Sequence, residues 1–252
     1  MVYTLSNRDV STLHNFKIKL CNTEIERVAD FKFLGLQLDE HLTWKPHMNK
    51  ILSKIQRNLG VVRKISCFLT RRTLMQMYHS MIMSHIRYGI TVWHHGQVAL
   101  RKKIQACANK FLRMIYFLKK RESVKSLMRE NEIMSVNQIF HLEISKIMKR
   151  INLDAIPDPF IDIFKNQRRT STMVTRFSSS FFQPFTALQK CKQSIVYTGP
   201  YVWNSLPIEV KGNAALDIPN PEIDSDNIDS KPLISQFVNK MKKFAIENIN
   251  FI

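Results

Sequence analysis

Carboxylate side chains are the residues whose spacing would indicate phosphoryl-transfer chemistry in this chain. Two-metal polymerase and nuclease sites need several oxygen ligands that converge on paired divalent cations. Among the 20 Asp and Glu residues, the only two adjacent acids are Asp39 and Glu40. They stand between a predicted strand and a predicted helix, where a carboxylate interacts favourably with the N-terminus of the helix. We therefore expect a structural role for this pair and find no recognisable catalytic site.

Other patterns that would indicate metal or cofactor binding are also missing from the sequence. The four cysteines lie far apart, with no Cys-x-x-Cys pair and no His at zinc-finger spacing. The six glycines form neither a phosphate-binding loop nor a dinucleotide fingerprint. We expect no metal and no cofactor in this chain, and free intracellular thiols. The first residues show no secretion signal, so the expected location is the nucleus or cytoplasm.

Positive charge is concentrated in one part of the chain. The segment from His41 to Arg121 contains 17 Lys and Arg residues and no Asp or Glu, within a chain of net charge +18. Opposite charges elsewhere in the chain do not dilute the positive field of such a segment locally. RNA, DNA or an RNA–DNA hybrid is the expected partner, because phosphate backbones bind basic surfaces with counterion release. A helical domain with a solvated Lys/Arg face is the alternative.

The periodicity of apolar residues predicts a mainly α (α+β) fold. Alternation with period two at 16–20 and 31–38 predicts a small antiparallel β element within residues 1–40. Apolar residues at three- and four-residue spacing then predict amphipathic helices in a bundle over 41–155. Their expected ranges are 48–65, 72–93, 98–118 and 135–151, the last with Ser135 as N-cap. The segment 74–93 is apolar but contains His79, His85 and Arg87, which favours a buried helix over a membrane span.

The region 156–252 is expected to be irregular. Pro157 and Pro159 should end the bundle. A short strand is predicted at 194–197, followed by a turn into a short helix. An acidic linker at 213–230 and a terminal helix at 231–248 complete the chain.

Basic residues on the outward faces of the predicted bundle helices are the candidate phosphate contacts. They are Lys50, Lys54, Arg57, Arg63, Lys64, Arg71, Arg72, Arg101, Lys102, Lys103, Lys110 and Arg113. The short basic run 119–121 is instead a candidate nuclear-import signal.

Several segments resemble parts of non-LTR (LINE-type, jockey-like) retrotransposon reverse transcriptases. The segments FKFLGLQLD at 31–39, LTW at 42–44 with His47, and YGITVW at 88–93 resemble the region that follows the catalytic palm. The segment YTGPYVWNSLP at 197–207 is similar to the GP-x-x-WN-x-LP signature near the C-terminal end of the same polyproteins. The resemblance covers nearly the whole chain.

This resemblance implies a role for each region. Residues 1–40 would be the end of the palm, with Phe33, Leu34 and Gly35 in the primer-grip hairpin that steadies the primer 3′ end. Residues 41–155 would be the thumb, which in the family lies against the primer–template backbone. We expect contacts there with shape and phosphates more than with base edges.

The family's metal-binding Tyr/Phe-x-Asp-Asp motif has no counterpart in this sequence. The parent RNA-directed DNA polymerase would use Mg²⁺, but this chain alone is expected to bind none and not to polymerise. It is therefore expected to be a truncated fragment, as a remnant or a shortened gene model, that retains nucleic-acid binding. Two alternatives remain: a domesticated protein-interaction module that uses the bundle and the Trp203 segment, or a remnant without function. The oligomeric state stays open.

Overall fold

The computed structural model describes residues 18–26, 28–165, 180–212 and 231–248. These residues belong to two compact units, an N-terminal unit within 1–122 and a C-terminal unit within 123–252. The predicted mainly α fold, with a small antiparallel β element and a C-terminal helix, is confirmed. The boundary between the units falls inside the predicted thumb-like segment 41–155.

The β element consists of two separate two-stranded hairpins. The strands are β1 (Ile18–Leu20), β2 (Thr23–Ile25), β3 (Asp30–Phe33) and β4 (Leu36–Asp39). In the second hairpin Phe33 pairs with Leu36, and the two residues between them close the turn. Leu34 and Gly35 both have positive φ, 45° and 83°, as a tight turn that matches the twist of the strands requires. The predicted strand residues 16 and 17 lie outside the described part.

The helices of the N-terminal unit bury the predicted apolar stripes. They are α1 (Lys45–Ile65), α2 (Arg71–Tyr78), α3 (Ser84–Arg87), α4 (Ile90–Trp93) and α5 (Val98–Ile115). Helices α1 and α5 pack on one another. Met48 and Ile55 of α1, and Ile104 and Phe111 of α5, are fully buried. The basic residues between the stripe positions are thereby left on the outer faces of both helices.

The prediction of one continuous helix over 72–93 is wrong in two places. A turn of π-helix at His79–Met83 separates α2 from α3, and the side-chain amide of Asn58 donates to the Met81 carbonyl at 2.9 Å. The helix then breaks at Tyr88 and Gly89, because Gly89 has φ 60°. Apolar periodicity continues across this break, so the pattern alone does not reveal it.

Helix α5 ends three residues earlier than the predicted residue 118. The Leu118 N–H donates to the Arg113 carbonyl at 2.9 Å, and the Phe117 N–H donates to the Met114 carbonyl. This is the Schellman arrangement, in which the residue after the C-cap is left-handed and usually glycine. Phe117 takes that position with φ 53°. Phe117 and Leu118 therefore leave the helix surface.

The C-terminal unit is built around a central helix. Its helices are α6 (Lys125–Glu130), α7 (Val136–Asn152), α8 (Asp158–Lys165), α9 (Ile195–Asn204), α10 (Ile208–Lys211) and α11 (Lys231–Glu247). Helix α7 packs against α8, α9 and α11. The predicted N-cap is confirmed, since Ser135 and Gln138 form a reciprocal capping box. Pro159 lies in the first turn of α8, so the two prolines separate helices and do not end the helical part.

The predicted strand at 194–197 is wrong, because these residues begin α9. Ile195, Val196 and Tyr197 have high β propensity. However, the Ser194 hydroxyl accepts the Val196 N–H as a helix cap, and α9 buries Val202 and Trp203. Tertiary packing therefore overrides local propensity. The predicted acidic linker at 213–230 lies outside the described residues.

Candidate nucleic-acid interface

Eight of the twelve candidate phosphate contacts are exposed in the N-terminal unit. They are Arg57, Arg63, Lys64, Arg71, Arg72, Lys102, Lys103 and Lys110. The whole segment 41–121 is described, and it has no carboxylate side chain that could neutralise them. The segment itself therefore contributes only positive charge to the interface, from the three helices α1, α2 and α5.

The other four candidate contacts are half-buried, and two of these support the fold. The prediction that Arg101 and Arg113 are exposed is therefore wrong. The Arg101 guanidinium donates to the His94 carbonyl, and burial lowers the pKa of Arg101. Arg113 Nε donates to the Glu122 carbonyl at 2.9 Å. Lys50 and Lys54 are half-buried on α1; the charges of both help to lower the pKa of His47 on the same helix, and that of Lys54 helps to lower the pKa of His85.

Arg71 is exposed, yet it also has an intramolecular contact. Its guanidinium lies 5.0 Å from the centre of the Tyr116 ring, a cation–π distance. This contact joins the start of α2 to the end of α5. We therefore expect Arg71 to be less free for phosphate than Arg72, which follows it.

The C-terminal ends of α1 and α5 border a groove with a volume of about 740 Å³. We call it the basic groove. Its lining residues are Leu59, Arg63, Ser66, Lys110, Arg113, Met114, Phe117, Leu118 and Lys120. Four of the nine are cationic and none is acidic. Phe117 and Lys120 are not among the twelve candidate contacts: residue 117 falls within the helix predicted over 98–118, and residue 120 within the basic run 119–121.

The residues predicted as primer-grip-like form the tip of the β3–β4 hairpin. Leu34 is 74% exposed and Phe33 is also exposed. The Tyr88 hydroxyl donates to the Leu34 carbonyl. A Cβ on Gly35 would lie 3.2 Å from the Tyr88 ring, so glycine permits this close approach. Two segments of the retrotransposon-like pattern, 54 residues apart in the chain at Leu34 and Tyr88, are thus in direct contact.

The same hairpin is joined to the start of α1 by Asp39. Its carboxylate accepts hydrogen bonds from the Thr43 N–H and hydroxyl and from the Trp44 N–H at 2.7–2.9 Å. Partial burial alone would raise the pKa of Asp39, but these hydrogen bonds outweigh it and hold the pKa below the usual value. The structural role expected for the acidic pair agrees with this geometry at Asp39.

His47 connects the hairpin to the core of the N-terminal unit. Its Nδ1 accepts the Gln37 N–H at 3.3 Å, and its ring lies 6.4 Å from the ring of Trp93. Burial, together with the charges of Lys50 and Lys54, lowers the pKa of His47 to about 4. The imidazole is therefore neutral at pH 7 and has a packing role.

Acidification is expected to destabilise the N-terminal unit through His47. Between the ordinary pKa of 6.5 and the folded value of about 4, only the unfolded chain binds the proton. The stabilisation is complete above pH 6.5 and is lost as the pH falls toward 4, by up to roughly 3 kcal/mol. His47→Asn, which keeps an acceptor near Nδ1, should show a shallower dependence of melting temperature on pH.

His79, His85 and His95 also have pKa values lowered by burial. They should leave a residual slope of the same sign in both the parent and His47→Asn. Equal slopes in the two proteins would contradict the assignment to His47.

The segment 197–207 has a structural role in the C-terminal unit. Trp203 is 1% exposed and its ring lies 5.7 Å from that of Phe237. The Asn204 side chain accepts the Phe181 N–H at 3.0 Å and donates to the Phe181 carbonyl at 2.8 Å. Trp203 is therefore a core residue and is not available as a surface contact.

Two further observations concern the described residues only, and a third concerns the whole chain. The described residues contain no group of three or more His, Cys, Asp or Glu side chains that could hold a metal ion. None of the described helices combines the length and the apolar character needed to cross a bilayer. Comparison of the chain with protein-family models, with curated proteins and with solved structures found no match.

Proposed function

We propose that this chain is a fragment of a non-LTR retrotransposon reverse transcriptase that binds the backbone of RNA, DNA or an RNA–DNA hybrid. The observation that carries the proposal is the set of eight exposed cationic residues on α1, α2 and α5, in a described segment without any acid. Such a surface attracts phosphates through counterion release. Residues 41–155 would act as the thumb, and the helices of the N-terminal unit would supply its basic surface.

The contact between Leu34 and Tyr88 supports the family assignment. It joins two segments that were identified separately by their resemblance to one polymerase region, and it uses Gly35 and Gly89, which belong to these segments. A Cβ on Gly89 would lie 2.7 Å from Leu36 Cδ2. Glycine is thus required at positions 35 and 89 because the two segments approach each other closely there.

The proposed activity of the chain alone is binding and not polymerisation. The sequence has no Asp-Asp pair. Of its two adjacent acids, Asp39 accepts the Trp44 N–H at the start of α1, and Glu40 Oε1 lies 3.3 Å from His41 Nε2. Mg²⁺ would be bound by the parent polymerase at its palm. The compartment would be one that contains nucleic acid, the nucleus or the cytoplasm.

A salt titration tests this proposal. If about five of the cations meet phosphates, raising salt from about 50 to about 200 mM should weaken binding roughly 10²- to 10³-fold. The measurement is fluorescence anisotropy with a labelled RNA–DNA hybrid and the full chain. A flat salt response, or no binding at the lower salt concentration, would overturn the proposal.

A protein-interaction module is the second candidate. The β3–β4 hairpin favours it, because Phe31, Phe33 and Leu34 are large, apolar and exposed on one small element. This function would give a protein complex that persists at high salt and no binding to oligonucleotides. The same titration therefore separates the two functions.

A further inference from the structure

The position of Phe117 in the basic groove is not explained by folding. Its side chain is 76% exposed, so it contributes little to the core. Its backbone is left-handed, a conformation that is unfavourable for bulky L-residues and in which glycine is usual at this place in a helix end. Folding alone would favour a smaller residue here.

The ends of α6 and α7 provide an internal comparison. They have the same pattern of hydrogen bonds after the helix, with Glu132 and Asp154 in the left-handed position. Those side chains are polar and exposed to water. Of these three helix ends, only the one at the basic groove presents an aromatic ring to solvent.

The groove surrounds this ring with positive charge. Arg63 and Lys110 are exposed, and the bond from Arg113 to the Glu122 carbonyl holds that guanidinium at the groove. Lys120 provides a fourth cation. The volume of about 740 Å³ lies within the range of roughly 300–1,000 Å³ that is usual for sites that enclose a small molecule or one unit of a polymer.

We propose that the basic groove binds a single-stranded segment of RNA or DNA, with one base stacked on Phe117. Neighbouring phosphates would lie against Arg63, Lys110 and Lys120. A duplex offers phosphates but keeps its bases stacked inside, whereas a single strand can present a base to an exposed aromatic ring. The inference rests on the proposed nucleic-acid function and adds the substrate class of this groove.

The test compares a labelled single-stranded RNA with an RNA–DNA hybrid of the same sequence, using the full chain at fixed salt. Phe117→Ala should weaken single-strand binding roughly 5- to 150-fold, the loss of one stacked base, and leave hybrid binding unchanged. Phe68→Ala is the matched control, because Phe68 is 84% exposed in the same unit and does not line the groove. It should change neither affinity.

Phe117→Gly separates binding from folding. Glycine accepts the left-handed conformation without strain. The melting temperature of the Phe117→Gly variant should therefore equal or exceed that of the parent. Its loss of single-strand affinity should match that of Phe117→Ala. A fluorescent purine analogue in the strand should be quenched on binding to the parent and not on binding to either variant.

Lys120→Gln reports the phosphate part of the site. It should reduce the salt slope for the single strand by about 0.7, the value for one phosphate contact. An unchanged slope would overturn the assignment of Lys120 to the site.

The remaining outcomes each point to a definite conclusion. Unchanged single-strand binding by Phe117→Ala, or an equal loss with the hybrid, would overturn the single-strand site and leave the proposed function intact. No binding of the parent to either nucleic acid would overturn both. Binding of the parent to anionic phospholipid vesicles that is lost in Phe117→Ala, with single-strand binding unaffected, would assign the groove to a membrane surface instead.

Discussion

The double variant Lys102→Glu/Lys103→Glu is expected to bind an RNA–DNA hybrid roughly 10²-fold more weakly than the parent protein at about 50 mM salt. Both side chains are exposed on α5. Each phosphate contact that is lost should also lower the salt slope by about one, so the double variant should lose about two. Replacing the cations with anions adds repulsion to this loss. Binding isotherms over a salt series measure both quantities.

The fold should tolerate this double charge reversal. The two positions are exposed in the interior of α5, and glutamate has nearly the same helix propensity as lysine. A circular dichroism melt of the variant is therefore expected to resemble that of the parent. A loss of affinity in such a protein reports on binding and not on unfolding.

Lys240→Glu/Lys243→Glu is the matched control. These lysines are exposed on α11 of the C-terminal unit, and the variant has the same net charge as the α5 variant. If nucleic acid binds the N-terminal unit, the control should keep most of the affinity and the salt slope. Equal losses in the two variants would mean that net charge alone, and no defined interface, governs binding.

Gly89→Val is expected to lower the free energy of unfolding of the N-terminal unit by about 2–4 kcal/mol. Gly89 has φ 60°, which a β-branched residue strongly disfavours. A side chain there would also meet Leu36 of β4, since even a Cβ would lie 2.7 Å from its Cδ2. Denaturant unfolding measures the change.

Gly89→Val should also detach the β3–β4 hairpin from the helix break at Tyr88 and Gly89. Hydrogen exchange resolved by peptide should be faster over 30–39 in Gly89→Val than in the parent. Unchanged exchange there, with a lowered overall stability, would contradict the role of Gly89 in seating the hairpin.

Gly60→Ala is the control for glycine replacement. Gly60 lies inside α1, and a Cβ there would have no atom within 4 Å. Alanine should therefore stabilise the unit by about 0.5–1 kcal/mol through a smaller loss of backbone entropy. A destabilised Gly60→Ala would show that the N-terminal unit is sensitive to any change in α1, and the Gly89 result would then need another explanation.

Helices with a regular apolar stripe were predictable from the sequence. The stripe from Met48 to Val62 marks α1, and Ser135 with Gln138 marks the start of α7, because these signals are local. Local signals were insufficient at 194–197, where β-branched residues favour a strand but the packing of Trp203 favours a helix. They were also insufficient at Gly89, since the apolar period continues through the break.

In the candidate interface, too, some features follow from the sequence and others depend on the tertiary structure. The acid-free segment 41–121 is a property of the sequence, and any fold of it must display excess positive charge because so many cations cannot be buried without partners. Which cations are free is a tertiary property. Arg101 is half-buried against the His94 carbonyl, and this contact depends on the position of α4 beside α5.

The sequence by itself determined the helical class and the sign and location of the charge. Only the tertiary structure decided that the hairpin tip contacts Tyr88, that Trp203 is buried, and that Phe117 shares a groove with four cations. The physical reason is that periodicity and charge add up along the chain, whereas a groove or a close glycine contact requires residues distant in sequence to meet in space.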